Sequence, residues 1–182
     1  VDLMGGAISF KSSPGRGSAF IIDLQPQAHQ ADNPQTAAAG GACGGETALN
    51  GARALLCEDN ELNREIAVNL LTEKGMLVET AENGLLGLEK FSGAPAGWYD
   101  AVLMDIRMPV MDGLSATRAI RALDRPDAQT TPIIAMTANA FEEDVRECLE
   151  AGMNGHIAKP LDPEQMFAML AKMINEESGI KR

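Results

Sequence analysis

Five polar residues that follow short apolar runs could act together in one chemical site: Glu58, Asp59, Asp105, Thr137 and Lys159. Three carboxylates that lie close together repel one another, by roughly 4 kcal/mol per pair at about 4 Å and an effective dielectric near 20. The lysine offsets part of this repulsion, and a divalent cation would offset the rest. Hard oxygen ligands that leave room for water and phosphate oxygens favour Mg²⁺, so the sequence predicts a magnesium site.

The backbone after the third acidic residue could complete the ligands of such a site. We expect Asp59 and Asp105 to bind Mg²⁺ directly, and Glu58 to bind it directly or through water. The backbone carbonyl of Arg107 is the remaining protein ligand that we predict. An acidic residue after a strand is more often a helix cap or a solvated loop residue, so only the coincidence of all five residues favours the metal site.

Phosphoryl transfer is the reaction that these residue types fit, because it needs a nucleophile and positive groups around the phosphoryl oxygens. Asp105 could be the nucleophile and would then form an acyl phosphate. Lys159, Mg²⁺ and the Thr137 hydroxyl could hold the phosphoryl oxygens. A simpler interpretation stays open for two of these residues: Thr137 as an ordinary hydroxyl at the end of a strand, and Lys159 as the partner of an exposed acid.

Short apolar runs alternate with helix-length patterns from residue 53 onward, which indicates repeated β-α units. The predicted strands are Ala54 to Glu58, Leu77 to Ala81, Ala101 to Asp105, Ile133 to Thr137 and Gly155 to Ala158. The predicted helices are about Glu61 to Lys74, Leu85 to Phe91, Leu114 to Leu123, Glu142 to Ala151 and Pro163 to Ile174. Five such units predict an α/β fold, a doubly wound five-stranded parallel sheet with helices on both faces. The functional crevice of such a sheet lies beyond the carboxyl ends of its strands, where all five candidate residues fall.

Two strand-like runs precede this region, Ala7 to Ser12 and Ser18 to Leu24, around a segment rich in turn formers. They predict a β-hairpin, which is marginal by itself and should be the remnant of a larger sheet. The composition of residues 25–52, rich in Ala, Gly, Gln, Asn, Pro and Thr, predicts a flexible linker. We therefore divide the chain into a remnant at 1–24, a linker at 25–52, a main domain at 53–176 and a C-terminal tail at 177–182.

The charge and the hydrophobic pattern argue against nucleic-acid binding and membrane contact, and the cysteines argue against a zinc or redox site. The net charge of the 182-residue chain is −11 at pH 7, which argues against a nucleic-acid-binding surface because such surfaces need clustered Lys and Arg. No apolar run approaches the roughly 20 residues that span a bilayer, so we expect no direct contact with a membrane. The three cysteines are widely spaced and lack the CxxC pattern of zinc and redox sites. These features favour the cytoplasm.

The sequence around the candidate residues resembles the receiver domain of response regulators, from about Arg53 to Ile174. The stretches that carry the resemblance are Leu55–Asn60, Val102–Pro109, Met111–Gly113, Pro132–Ala138 and Ala158–Leu161. The resemblance implies the flavodoxin-like (βα)5 fold of that family. It also implies a role for each residue: Asp105 as phosphoacceptor, Glu58 and Asp59 as acidic metal pair, Thr137 as switch hydroxyl and Lys159 as the lysine of the motif.

Two further positions take their interpretation from the resemblance alone. The Lys159–Pro160 peptide bond matches one that is usually cis in this family. His156 stands three residues before the lysine, where the family often has a Tyr or Phe that moves inward with the threonine. Either His156 is a polar substitute in that switch, or the movement is weakened in this domain. The simpler interpretation is an exposed histidine at the edge of a strand.

The N-terminal residues resemble the end of the ATP-binding domain of histidine kinases, in Val1–Ile8 and Ser13–Phe20. Together the two resemblances imply the C-terminal receiver domain of a hybrid sensor histidine kinase, a class whose members are either cytoplasmic or membrane-anchored. We expect that this chain neither binds ATP nor phosphorylates a histidine, because the nucleotide-binding motifs would lie upstream.

The function that the resemblance implies is a step in a phosphorelay. A phosphohistidine, in a histidine-kinase dimerisation domain or a histidine phosphotransfer protein, would donate its phosphoryl group to Asp105 with Mg²⁺. One alternative is a receiver-like interaction module that regulates the parent kinase without being phosphorylated, although such a module has no need for three crowded carboxylates. Another is an aspartyl-phosphate phosphatase, a class that usually has a second aspartate where this sequence has Arg107.

Overall fold

The two strands predicted near the N-terminal end pair with each other. The structure, a computed structural model, describes residues 7–13, 17–23, 49–138 and 142–180. The chain divides into two compact units, Val1–Gly40 and Gly41–Arg182. In the first unit, strands β1 (Ala7–Ser13) and β2 (Gly17–Asp23) are antiparallel. Most of the predicted linker, residues 25–48, and the predicted strand residue Leu24 lie outside the described residues.

The second unit contains the predicted parallel sheet. Its strands are β3 (Arg53–Cys57), β4 (Leu77–Ala81), β5 (Ala101–Asp105), β6 (Ile133–Thr137) and β7 (Gly155–Ala158). Its helices are α1 (Glu61–Glu73), α2 (Gly84–Gly93), α3 (Gly113–Arg121), α4 (Glu142–Ala151) and α5 (Pro163–Ile180). The strand order is β4-β3-β5-β6-β7, with every neighbouring pair parallel. The doubly wound, flavodoxin-like α/β fold is therefore confirmed.

Each face of this sheet is covered by its own helices. Alternate residues of a strand point to opposite faces. On one face Leu56 belongs to a buried cluster with Leu71 of α1 and Leu170 of α5. On the other face Leu55 belongs to a buried cluster with Phe91 of α2. In the part of the chain that the structure describes, no helix is both long and apolar enough to cross a membrane.

Polar side chains fix where the helices begin, at the edge of the sheet where the candidate residues lie. Asn60, Asn83 and Asp112 each accept a hydrogen bond from an amide in the first turn of α1, α2 and α3. Asp162, which precedes the first residue of α5, accepts one from the Gln165 amide at 3.1 Å. Because each cap ends a β-α connection, the caps also determine the shape of the loops around the site.

The second unit extends beyond its predicted bounds at both ends. Leu49, in the segment predicted as linker, is 2% exposed and belongs to the same buried cluster as Leu71. The Gly51 amide donates to the Gly75 carbonyl at 2.8 Å, which also ties this segment to the loop that precedes β4. At the other end, α5 continues to Ile180, through residues 177–180 of the predicted tail.

We expect the substitution Leu49→Ala to lower the free energy of unfolding by about 2–4 kcal/mol, because it leaves a cavity in the core. Urea unfolding followed by circular dichroism would measure this loss. The matched control is Leu149→Ala on α4, where the side chain is 56% exposed and the expected change is within about 0.5 kcal/mol. Equal effects of the two substitutions would contradict the burial of Leu49.

Candidate active site

The carboxyl ends of the strands bring the five candidate residues to one edge of the sheet. They are Glu58 and Asp59 after β3, Asp105 at the end of β5, Thr137 at the end of β6 and Lys159 after β7. Glu58, Asp105 and Thr137 are buried, with exposed fractions of 2%, 7% and 6%, whereas Asp59 is exposed. The edge therefore carries two buried carboxylates and a third one at its rim.

Lys159 links the two buried carboxylates. Its Nζ atom lies 2.6 Å from Oε2 of Glu58 and 2.8 Å from Oδ2 of Asp105. Its backbone amide donates to the Thr137 carbonyl at 2.7 Å, which extends the pairing of β6 with β7 by one residue. The peptide bond from Lys159 to Pro160 is cis. The lysine is thus held both at its backbone and at its ammonium group.

Burial and charge act in opposite directions on the ionisation of this cluster. Burial raises the pKa of the Asp105 carboxyl above its ordinary value, and the hydrogen bond and charge of Lys159 do not cancel that effect. Burial alone would lower the pKa of Lys159, but the hydrogen bonds and charges of Asp105 and Glu58 outweigh it and raise that pKa. The net shift of the Asp105 pKa therefore follows its burial, whereas the net shift of the Lys159 pKa follows its two carboxylate partners.

A divalent cation fits the charge that remains. One carboxylate oxygen each from Glu58, Asp59 and Asp105 lies within 4.8 Å of the other two. Three carboxylates and one ammonium leave two negative charges, which one divalent ion would balance. The oxygen-only donor set at this spacing suits Mg²⁺, which prefers hard oxygen ligands and retains several waters. These residues therefore fit the predicted metal.

A second group of residues lies around Asp105. The Arg107 amide donates to Oδ1 of Asp105 at 3.3 Å. The cleft beside it, here called the Thr137 cleft, is lined by Asp105, Ile106, Arg107, Thr137, Ala138 and Asp144. Asp144 is an acidic residue that the sequence pattern does not point to, because it lies within α4 rather than at the end of a strand. Metal binding by the Arg107 carbonyl stays a prediction.

His156 lies on the same sheet face as Thr137. It is half-buried and pairs with Ala135 of β6, while Thr137 pairs with Ala158. Because residues two apart in a strand share a face, the side chains of residues 135 and 137 point the same way, and residue 156 follows its partner. The structure brings His156 near the threonine's face, and its role in a switch stays a prediction.

Two residues of the first turn of α1 hold the acidic pair, and sequence reasoning missed both. The Asn63 side-chain amide donates to Oε1 of Glu58 at 3.0 Å. Arg64 donates through Nη1 to the carbonyls of Glu58 at 2.9 Å and Asp59 at 3.3 Å. The available signal was position: a helix that starts directly after an acidic pair turns its first polar side chains back toward that pair.

The family model described as the response regulator receiver domain matches residues 54–171. The chain belongs to this family. A rice protein, Two-component response regulator ORR41 of Oryza sativa subsp. japonica, is 42% identical to this receiver domain over 122 residues, which are 66% of the chain and 92% of the rice protein. The predicted family membership is therefore confirmed, and with it the function of a receiver domain in a two-component phosphorelay.

Longer proteins also match this receiver domain. Hybrid signal transduction histidine kinase I of Dictyostelium discoideum is 35% identical over 124 residues, which are 67% of this chain and 7% of the kinase. Histidine kinase 3 of Arabidopsis thaliana is 31% identical over 148 residues, 71% of this chain and 14% of the kinase. The chain thus spans only a small part of the length of these kinases.

A solved structure supports the predicted cofactor. The receiver domain of sensor histidine kinase PA1611 from Pseudomonas aeruginosa PAO1 is 39% identical, with a TM-score of 0.62 over 69% of this chain and 98% of that one. Its crystal structure holds a magnesium ion coordinated in the active-site cleft. Receiver domains bind Mg²⁺, and the receiver domain described here has the acidic cluster that such binding requires.

Mg²⁺ should stabilise this domain, since it binds the folded acidic cluster and not the unfolded chain. At about 100 times the Kd, the expected gain is about 2.7 kcal/mol in the free energy of unfolding. We expect Asp59→Asn to reduce this gain, and Asp124→Asn, which removes the same charge from an exposed residue after α3, to preserve it. Urea unfolding with and without Mg²⁺ measures both. An undiminished gain in Asp59→Asn would argue against Asp59 as a ligand.

Proposed function

We propose that Asp105 is the phosphoacceptor of this receiver domain and takes its phosphoryl group from a phosphohistidine. The observation that carries the proposal is the placement of the Asp105 carboxylate, between the Lys159 ammonium at 2.8 Å and the Arg107 amide at 3.3 Å, beside an open cleft. Both neighbours are hydrogen-bond donors, so they orient the carboxylate. They also lie where negative charge accumulates during phosphoryl transfer.

The transfer exchanges one bond to phosphorus for another. A carboxylate oxygen of Asp105 attacks phosphorus as the P–N bond of the phosphohistidine breaks, and the electron pair of that bond stays on the imidazole nitrogen. Lys159, already shared between two carboxylates, orients a phosphoryl oxygen, and the Thr137 hydroxyl borders the cleft that another oxygen would enter. Mg²⁺, held by Glu58, Asp59, Asp105 and the Arg107 carbonyl, would neutralise charge on the phosphoryl oxygens.

Phosphorylation would then change the population of two conformations. In our proposal the Thr137 hydroxyl moves toward the new phosphoryl group, and His156, on the same face of the sheet, fills the space that the threonine leaves. The support for this step is the register of β6 and β7, which places both residues on one face. The conformational change would reach partners through the surface formed by the last two helices and strands, α4, α5, β6 and β7.

The phosphohistidine donor is proposed to dock on the outer face of α1. Leu62 and Ile66 lie one turn apart on this helix and are 64% and 46% exposed. Ile66 also lines a cleft, here called the α1 cleft, with Glu58, Asn63, Lys159, Pro160 and Leu161. An apolar pair at helical spacing suits packing against another helix. A helical donor, either a histidine-kinase dimerisation domain or a histidine phosphotransfer protein, fits this face.

The parent protein is proposed to be a hybrid histidine kinase. Its support is the likeness to hybrid kinases in the receiver region together with the paired strands β1 and β2, which we assign to the end of an ATP-binding domain at residues 1–24. The predicted linker, residues 25–52, would join that domain to the receiver, with its last residues from Leu49 onward packed on the receiver core. Cys57 and Cys148 are buried and not paired with each other, which suits the reducing cytoplasm that we propose for this domain.

We expect phosphoramidate with Mg²⁺ to add one labile phosphate group to the wild-type domain and none to Asp105→Asn. The asparagine side chain keeps the shape of the site but lacks the nucleophilic carboxylate. Intact-protein mass spectrometry measures the adduct, and Asp124→Asn serves as the charge-matched control that should keep it. Absence of an adduct on the wild type, despite Mg²⁺ binding, would favour the interaction module that acts without phosphorylation.

Replacing both Leu62 and Ile66 by alanine should slow phosphotransfer from a phosphorylated histidine phosphotransfer protein by about tenfold, equivalent to about 1.4 kcal/mol of lost docking energy. Modification by phosphoramidate should stay unchanged, because this small donor needs no docking face. Leu149→Ala, at an exposed leucine of α4, is the control. A slower reaction with both phosphoryl donors would show that the substitutions impair phosphoryl transfer itself and would refute docking on α1.

A further inference from the structure

We propose that Asn63 is a positioning residue of the metal site: its side-chain amide holds the Glu58 carboxylate in the orientation that serves Lys159 and Mg²⁺ together. Asn63 lies on the first turn of α1 and borders the α1 cleft beside Lys159. The inference deepens the proposed function, because it assigns a residue to the magnesium site on which phosphorylation depends.

The backbone of Glu58 is held by hydrogen bonds, so only its side chain is free to change orientation. Its amide donates to the Ala81 carbonyl at 3.0 Å, and its carbonyl accepts from Arg64 at 2.9 Å. The first of these bonds extends the pairing of β3 with β4, and the second comes from α1. Because both ends of the residue are fixed, the orientation of the carboxylate is decided by the groups that bind its two oxygens.

Those two oxygens have different partners on opposite sides. Oε2 accepts from Lys159 at 2.6 Å and Oε1 accepts from Asn63 at 3.0 Å. The side chain is buried, so a bond lost from Oε1 is not readily replaced by one to solvent. The plane of the carboxylate is therefore set by an ammonium on one side and an amide on the other.

Loss of the amide would change how Lys159 is shared. A Glu58 carboxylate released from Asn63 can rotate and offer both of its oxygens to the ammonium. That rotation would draw Nζ away from Oδ2 of Asp105, which lies 2.8 Å from it. The same rotation would turn the Glu58 oxygen away from the cluster that it forms with Asp59 and Asp105. Asn63 thus keeps one lysine balanced between two acids.

The backbone of Asn63 is itself fixed in place. Its backbone amide donates to Oδ1 of Asn60, the N-terminal cap of α1, at 3.1 Å. Its side chain therefore starts from a capped first turn directly beside the end of β3. Residue 63 is therefore close enough to Glu58 for its side chain to contact the carboxylate. Asn69 lies almost two turns further along α1 and is too far from Glu58 for such a contact.

The experiment compares Asn63→Leu, which keeps the size of the side chain and removes the donor, with Asn69→Leu, the same change at an exposed residue of the same helix. Calorimetric titration with Mg²⁺ measures the Kd of each variant. We expect Asn63→Leu to raise the Kd by about tenfold, as found for groups that orient metal ligands, and Asn69→Leu to leave it unchanged. Asn63→Gln, which restores an amide donor, should recover part of the affinity.

Several results would overturn the inference. They are an unchanged or lower Kd in Asn63→Leu, an equal rise in Asn69→Leu, and no recovery in Asn63→Gln. Urea unfolding without Mg²⁺ shows whether a variant has lost its structure in general. If Asn63→Leu has, Asn63→Ala is the second variant that removes the amide donor, and its Kd is measured instead. A wild type that binds Mg²⁺ but gains no phosphate from phosphoramidate would refute the proposed function. It would not refute the inference about Asn63, which is tested by the Kd for Mg²⁺.

Discussion

The ammonium of Lys159 is the group on which this site depends. It pairs with Glu58 and Asp105, residues that lie 101 and 54 positions away along the chain. The three meet because β3, β5 and β7 are parallel and end at the same edge of one sheet. A strand order that moved β3, β5 and β7 further apart would separate the lysine from at least one acid, and the buried carboxylate left behind would be strongly destabilising.

The same arrangement leaves the site short of positive charge. In a chain of net charge −11, one ammonium faces two buried carboxylates and a third at the rim, and the pKa of Asp105 stays raised by burial despite its lysine. Binding of a cation at this site would therefore stabilise the folded domain, because it reduces the excess of negative charge. A newly arriving phosphoryl group is in turn easier to accommodate where a cation and a lysine already lie. The electrostatic cost of assembling the acids is thus connected with the phosphoryl transfer that we propose for them.

The strands of the sheet could be predicted from the sequence more completely than the residues that pack around it. The strands at Ala101–Asp105 and Ile133–Thr137 have the predicted bounds because each is a continuous apolar run that ends in a polar residue. The burial of Leu49 had no such signal, since one leucine among Ala, Gly and Asn shows no periodicity. Asn63 was missed for another reason: capping patterns reveal where a helix starts but not which distant carboxylate its first side chains contact.

Helix α1 carries two kinds of residue on adjacent positions. Leu62 and Ile66 face outward, while Asn63 between them binds the buried Glu58. Under the proposed docking, gene duplication would act on these positions differently. Copies of such a domain could diverge at residues 62 and 66 and acquire separate donors, which insulates parallel signalling routes from one another. Residue 63 would be left out of that divergence, because a change there would alter the chemistry that every copy shares.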